Sequence, residues 1–259
     1  MIDAHIHLTD ERFDPDREEL LEQARKAGVR LFLSASVRPE EWRKLIDFSL
    51  KHEDIRPFIG THPWYASTHD EALFKRLLTR YPETGVGEIG LDAVKGSPEQ
   101  ERVFYSQMKT AAELKRPCVV HCVKSFDATA AVLKKLKQTP PAVMLHGFSG
   151  TVQQAVFFSR FNAFFSFSGN ILKGNKGKLR AVLAALPRER ILAETDAPDM
   201  MLPEQFRLPD EKGRNPPAAL PLIVREIAAV RGVEVSSMIS VLRENAERFL
   251  AGQPPISPA

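Results

Sequence analysis

Short apolar runs alternate with longer stretches in which apolar residues recur every three or four positions, and this alternation continues along the whole chain. The short runs at 2–7, 29–34, 56–61, 84–89, 117–122, 142–146, 163–168 and 190–195 are rich in β-branched, leucine and aromatic residues and predict strands. The stretches at 17–27, 40–51, 70–80, 98–114, 126–137, 152–160 and 178–186 predict amphipathic helices, the first ending at Gly28. Residues 216–250 read as mostly helical. Strands that alternate with helices form parallel sheets. Eight such units in a chain of this length point to a (β/α)8 TIM barrel, an α/β fold in one domain over 1–251. An open doubly wound sheet admits the same alternation. The proline-rich segment 203–221 reads as a long loop, and 252–259 as a flexible C-terminal tail.

Composition narrows the class. A length of 259 residues suits one barrel, and 43% apolar with 27% charged residues describes a globular chain with a sizeable core. Lysine and arginine number 36 against 33 acidic residues, so the net charge of +3 neither demands nor excludes a nucleic-acid partner. Cys118 and Cys122 are too few for a disulfide framework and suit a reducing cytoplasm, the expected location. Both are expected to be buried thiols on the strand face opposite His121. No apolar run is long enough to span a membrane, and no secretory signal opens the chain.

The candidate chemistry starts at His5-Ile6-His7. Alternation along a strand puts His5 and His7 on one face. His62, Glu88, His121, His146 and Asp196 each fall at or just past the carboxyl end of a predicted strand, the rim where barrel active sites are built. Of seven histidines, only His52 and His69 fall elsewhere, near helix ends, where they are expected to be solvated. Five imidazoles and two carboxylates can hold two divalent ions, with a carboxylate such as Glu88 as a bridge. The mixed nitrogen and oxygen set suits Zn, Mn or Co, and is less typical of Mg. Such a centre activates water and stabilises displacement at phosphorus.

Weaker signals have plain alternatives. Residues 85–90 match G-x-G-x-x-G, but a loop rather than a helix follows, so close backbone packing beside Glu88 is expected instead of a dinucleotide site. Ser149 lacks the spacing of a nucleophile elbow. The basic loop 173–180 either holds a polyanion or is simply solvated. Trp64 and Tyr65 either stack a base or pack against a neighbouring loop.

The matching segments Asp3-Ala4-His5-Ile6-His7, Gly60-Thr61-His62-Pro63, Gly87-Glu88-Ile89-Gly90-Leu91-Asp92, 117–121, His146-Gly147-Phe148-Ser149-Gly150, Glu194-Thr195-Asp196-Ala197-Pro198 and Arg214-Asn215-Pro216-Pro217 span nearly the whole chain. In that order they resemble the TatD family of metal-dependent hydrolases, among the amidohydrolase-like barrels. The resemblance implies one metal held by His5, His7, Glu88 and Asp196, and a second held by Glu88, His121 and His146. Asp196 would orient or deprotonate the attacking water, and His62 would contact the scissile group. Lys124 and Arg214 are the further candidate substrate contacts. Two departures stand out. The arginine that the family usually carries two residues past the strand-five histidine is missing, leaving Lys124 as a possible charge, and Ala93 stands where many members have an aromatic residue.

The resemblance implies a phosphodiesterase or deoxyribonuclease acting on DNA or a small phosphodiester, without a membrane or an obligate protein partner. Two other readings compete. One is a lactonase, deacylase or amide hydrolase on the same site, although related barrels often bridge their metals with a modified lysine where this chain has Glu88. The other is a metal-binding scaffold without turnover.

Overall fold

The computed structural model describes residues 1–174, 177–210 and 212–256. Strands and helices alternate as β1 (Ile2–Ile6), α1 (Arg17–Lys26), β2 (Leu31–Ala35), α2 (Pro39–Ser49), β3 (Ile55–Ile59), α3 (Glu71–Arg80), β4 (Gly85–Asp92) and α4 (Gln100–Glu113). They continue as β5 (Cys118–Val123), α5 (Phe126–Lys135), β6 (Val143–Leu145), α6 (Val152–Phe158), β7 (Ala163–Phe167), α7 (Gly177–Ala185), β8 (Ile191–Ala193), α8 (Leu220–Arg231) and α9 (Val235–Leu250). The eight strands are parallel and ordered β1 to β8 in sequence, giving a nearly closed (β/α)8 barrel. The edge between β8 and β1 is joined by the Asp196 N–H to the His5 carbonyl at 3.0 Å and the His7 N–H to the Ala197 carbonyl at 2.9 Å. Asp3 reinforces it, accepting from the Thr195 backbone N–H at 2.9 Å and the Thr195 hydroxyl at 2.6 Å.

Two apolar layers result from strand alternation. Ile6, Phe32, Ile59, Val120, Leu145 and Phe165 face outward and pack under the helices. Ala4, Leu33, Phe58, Val119, Met144 and Phe164 fill the barrel interior. Ala246 and Phe249 of α9 join this inner cluster beside Ile2 and Leu31, so α9 stoppers the amino-terminal end of the barrel. Phe249 lies parallel to Phe58 with ring centroids 5.8 Å apart. Burying each such ring stabilises the fold by roughly 1.5–3 kcal/mol. The carboxyl end is left to polar side chains.

Two strands break the simple alternation where the site is built. Along β1, Asp3 pairs with Phe32 and Ile6 with Ser34, so three steps oppose two. Along β4, Val86 pairs with Cys118 and Ile89 with Val120, again three against two. An extra residue of this kind re-aims the side chains beyond it. Ala4 therefore belongs to the inner cluster while His5 and His7 also face the barrel mouth. In β4 the extra step falls at Gly87 and Glu88, whose peptide bond is cis. A Cβ on Gly87 would lie 2.8 Å from Val119, and one on Gly90, at φ +145°, would lie 2.0 Å from the His121 carbonyl oxygen. The glycine run serves close backbone approach beside Glu88, as the sequence suggests.

The differences from expectation are local. Strands β6 and β8 are three residues each, shorter than the expected runs. The helical segment 216–250 divides at Gly232 into α8 and α9. Residues 257–259 of the expected tail lie outside the described residues, while Arg248 Nη2 holds the Pro254 carbonyl at 2.9 Å.

Candidate metal centre

Six strands deliver the predicted ligands and His62 to one point at the carboxyl end of the barrel. The carboxylate of Glu88, 2% exposed, lies at the centre, and its two oxygens face different partners. Oε2 is 3.3 Å from His5 Nε2 and 3.3 Å from His7 Nε2. Asp196 Oδ1 completes that side, 3.4 Å from His5 Nε2 and 3.3 Å from His7 Nε2. Oε1 is 2.8 Å from both His121 Nδ1 and His146 Nε2, and 3.3 Å from His62 Nε2. Ligand atoms of His5, His7 and Asp196, of His5, Glu88 and His146, and of His62, Glu88 and His121 each fall within 4.8 Å of one another.

Hydrogen bonds on the far side of the His7, His121 and His62 rings fix which nitrogen faces the site. His7 Nδ1 lies 3.0 Å from the Ala35 carbonyl, which can only accept. That places the proton on Nδ1 and leaves Nε2 as the ligand atom. His121 Nε2 lies 3.3 Å from Asp92 Oδ2, which leaves Nδ1 free to bind a metal. His62 is the reverse case. Its Nδ1 accepts the Trp64 backbone N–H at 3.3 Å, so the proton of the neutral ring sits on Nε2, aimed into the site. In that tautomer His62 presents an N–H to the site.

The buried acids and imidazoles of the cluster perturb one another strongly. Burial pulls the His7 imidazole down, but its hydrogen bond to Asp196 and the charges of Glu88 and Asp196 outweigh this and raise it to about 9. Burial opposes ionisation of His146 as well, yet the charge of Glu88 and the contact with Glu194 lift it well above the ordinary range. Burial raises Glu88, while the His146 and His62 charges hold it far below the usual carboxylate range. Burial, then the neighbouring His146 charge, lowers His5. Among the described residues, neither ring nitrogen of His5 nor Nδ1 of His146 has a hydrogen-bond partner. Buried polar atoms without partners are costly, and divalent cations would satisfy this donor set. The residues fit a divalent-metal centre.

Support around the ligands was not assigned from sequence. Asp92 accepts from Trp64 Nε1 at 2.7 Å and from the Val94 and Lys95 backbone N–H groups at 2.7 and 3.0 Å. Burial raises its pKa, but these donors together bring it down to about 2. Glu194 accepts from Gly147 N–H at 2.6 Å and Ser166 Oγ at 2.5 Å, and faces His146 Nδ1 at 3.7 Å. Both acids lie in segments that mark the family resemblance, which was the signal available.

Two expected substrate contacts lie away from the cleft. Alternation along β5 brings Val123, not Lys124, to the wall of the 560 Å³ cleft over Glu88. Lys124, at φ +49°, lines a separate groove with Ser125 and Gln154. Arg214 is 4% exposed and its guanidinium is already engaged. It bonds Asp16 at 2.7 and 2.8 Å, Asp210 at 2.7 and 3.2 Å, and the Arg12 carbonyl at 2.6 Å. It ties the loop before α8 to the segment before α1. The two expected solvated histidines are also more engaged. The His69 side chain is held between Thr61 Oγ1 at 2.8 Å and Glu71 Oε2 at 3.0 Å, and His52 lies 3.3 Å from Glu18. In the basic loop, Asn175 and Lys176 lie outside the described residues, Lys173 bonds Asn170 and Arg180 pairs with Glu226. Cys118 and Cys122 are buried thiols, as expected.

Comparison with known proteins agrees with this geometry. A family model described as "TatD related DNase" matches residues 2–251. The chain is 33% identical over 256 residues to "3'-5' ssDNA/RNA exonuclease TatD" of Cronobacter sakazakii, covering 96% of this chain and 97% of the relative. The crystal structure of YjjV, a TatD homologue from Escherichia coli K12, superposes with a TM-score of 0.87 at 28% identity, covering 96% of this chain and 97% of that one. The lactonase Lmo2620 from Listeria monocytogenes, at 11% identity and a TM-score of 0.64, covers 96% of this chain and 94% of its own and shares the fold alone. The chain belongs to the family of TatD-related DNases.

Proposed function

We propose that the protein is a divalent-metal-dependent hydrolase that cleaves phosphodiester bonds in single-stranded DNA or RNA, with room in its cleft for the end of a strand. The observation that carries this reading is the division of Glu88, whose Oε2 faces His5, His7 and Asp196 while Oε1 faces His121 and His146. One carboxylate serving two separate donor groups supports two ions, of Zn, Mn, Co or Mg. His5, His7, Glu88 and Asp196 would hold one, and Glu88, His121 and His146 the other. When bound, two such ions bring the pKa of water towards neutrality and offset charge on phosphoryl oxygens.

The chain supplies the remaining steps. Asp196 turns Oδ1 to His5 and His7 and offers its second oxygen to accept a proton from the attacking water. His62 donates its Nε2 proton to a phosphoryl oxygen as charge grows there, which stabilises the transition state. Asp92 and the Ala35 carbonyl hold the His121 and His7 rings in their orientations. The two buried thiols suit a reducing cytoplasm.

The test is cleavage of single-stranded oligonucleotides and of bis(p-nitrophenyl) phosphate with Mg, Mn, Co or Zn, alongside metal analysis. Two equivalents of metal, with turnover abolished in Glu88→Ala, are expected. Cleavage of lactones or amides in place of phosphodiesters would move the activity to the lactonase-like reading. Tight metal binding without turnover on any substrate would leave a scaffold.

A further inference from the structure

Trp64 is a large aromatic side chain of the cleft wall, and it is 43% exposed. Exposure alone would mean little, because single apolar residues on surfaces are common. Three contacts make it different. Its Nε1–H is fixed on Asp92 Oδ2 at 2.7 Å, the same oxygen that faces His121 Nε2. The His62 ring meets it at a centroid distance of 4.8 Å and 85°. The Lys95 ammonium sits 4.6 Å from its ring centroid.

The other candidates on that wall are engaged already. The Arg38 guanidinium lies over Tyr65 at 5.1 Å and is held by Glu41 at 2.9 Å. Arg12 is held between Asp10 and Asp199, at 2.8 Å from each. Lys95 enters no ion pair with a carboxylate among the described residues. An indole locked in orientation beside a cation with no acidic partner is suited to a base and a phosphate. Stacking needs a rigid exposed ring, and a backbone phosphate needs a mobile charge.

We propose that Trp64 and Lys95 form a nucleoside subsite on the His121 side of the cleft. The indole stacks the base of the nucleotide whose phosphodiester lies over Glu88. Lys95 leaves the ring face and pairs with the adjacent phosphate. The assignment rests on the nuclease reading and deepens it, because it places recognition on the base rather than on the phosphodiester alone. It also answers the charge missing from Val123 with a cation from the loop after β4.

The experiment compares single-stranded oligonucleotides whose terminal residue carries a base or is abasic. Wild type is expected to prefer the base by about tenfold in kcat/KM. Trp64→Ala should erase that preference, and Trp64→Phe should retain most of it. An equal preference in wild type and Trp64→Ala overturns the subsite. Lys95→Gln should reduce the salt dependence of log KM by roughly 0.7 in slope, the contribution of one phosphate contact on a single strand, and an unchanged slope removes Lys95 from it.

A second readout avoids turnover. With a chelator present, a dinucleotide should quench the tryptophan emission of wild type but not of Trp64→Phe, with the fully buried Trp42 as internal reference. Unmoved wild-type emission also overturns the subsite. If wild type cleaves neither oligonucleotide nor bis(p-nitrophenyl) phosphate, the nuclease reading fails, while the fluorescence titration still decides whether a nucleoside binds at Trp64.

Discussion

The hydrogen bond behind the ring distinguishes His62 from His7, although their primary sequence does not. His62 accepts from a backbone N–H, whereas His7 donates to a carbonyl. His62→Ala is therefore expected to keep its full metal content by elemental analysis while kcat falls about a hundredfold, the cost of losing one donor to a developing oxyanion. Asp92→Asn should act in the opposite manner. It frees the His121 ring from its carboxylate and should weaken metal binding about tenfold, measured by competition with a chromophoric chelator. The convergence of the candidate ligands was legible because histidine and acid recur at strand ends. Asp92 was visible only as part of a matching segment, since its role depends on Trp64 reaching it from another loop. The engagement of Arg214 was illegible for the same reason, because Asp16, one of the two carboxylates that occupy it, lies near the other end of the chain.

At the scale of the element, hydrophobic periodicity located all eight strands, because a strand buried on both faces is a short apolar run whatever its partners. It could not locate the extra residues in β1 and β4, since these arise from pairing with a neighbour. The expectation that His5 and His7 share a face holds, but the extra residue lets Ala4 remain in the core as well. In β4 the glycines make the bulge possible. Gly90→Ala would push a methyl group onto the His121 carbonyl in a backbone conformation that L residues avoid. A destabilisation of about 2 kcal/mol or more is expected from overpacking, read as a lower urea midpoint. Loss of metal affinity should accompany it, because the group displaced is the backbone of a ligand.

At the scale of the molecule, Arg214 holds the loop before α8 against the start of the chain through two carboxylates. Arg214→Met leaves Asp16 and Asp210 facing each other and should cost about 3 kcal/mol at neutral pH. The arginine depresses both carboxyl pKa values, so its contribution is present above the unfolded value near pH 4 and is lost as pH falls below it. Unfolding curves of wild type and Arg214→Met should consequently converge in acid, and a constant gap down to pH 2 would contradict the assignment. The same ends of the chain meet again at the barrel edge, where two backbone hydrogen bonds and the Asp3–Thr195 contacts join β8 to β1. His5 and His7 stand on one lip of this edge and Asp196 on the other. An ion gripped by all three would act as a rivet across the seam. Stripping it should loosen the amides of residues 5–7 and 195–197 first in deuterium exchange, well before the His121 side, where β5 is paired with both β4 and β6.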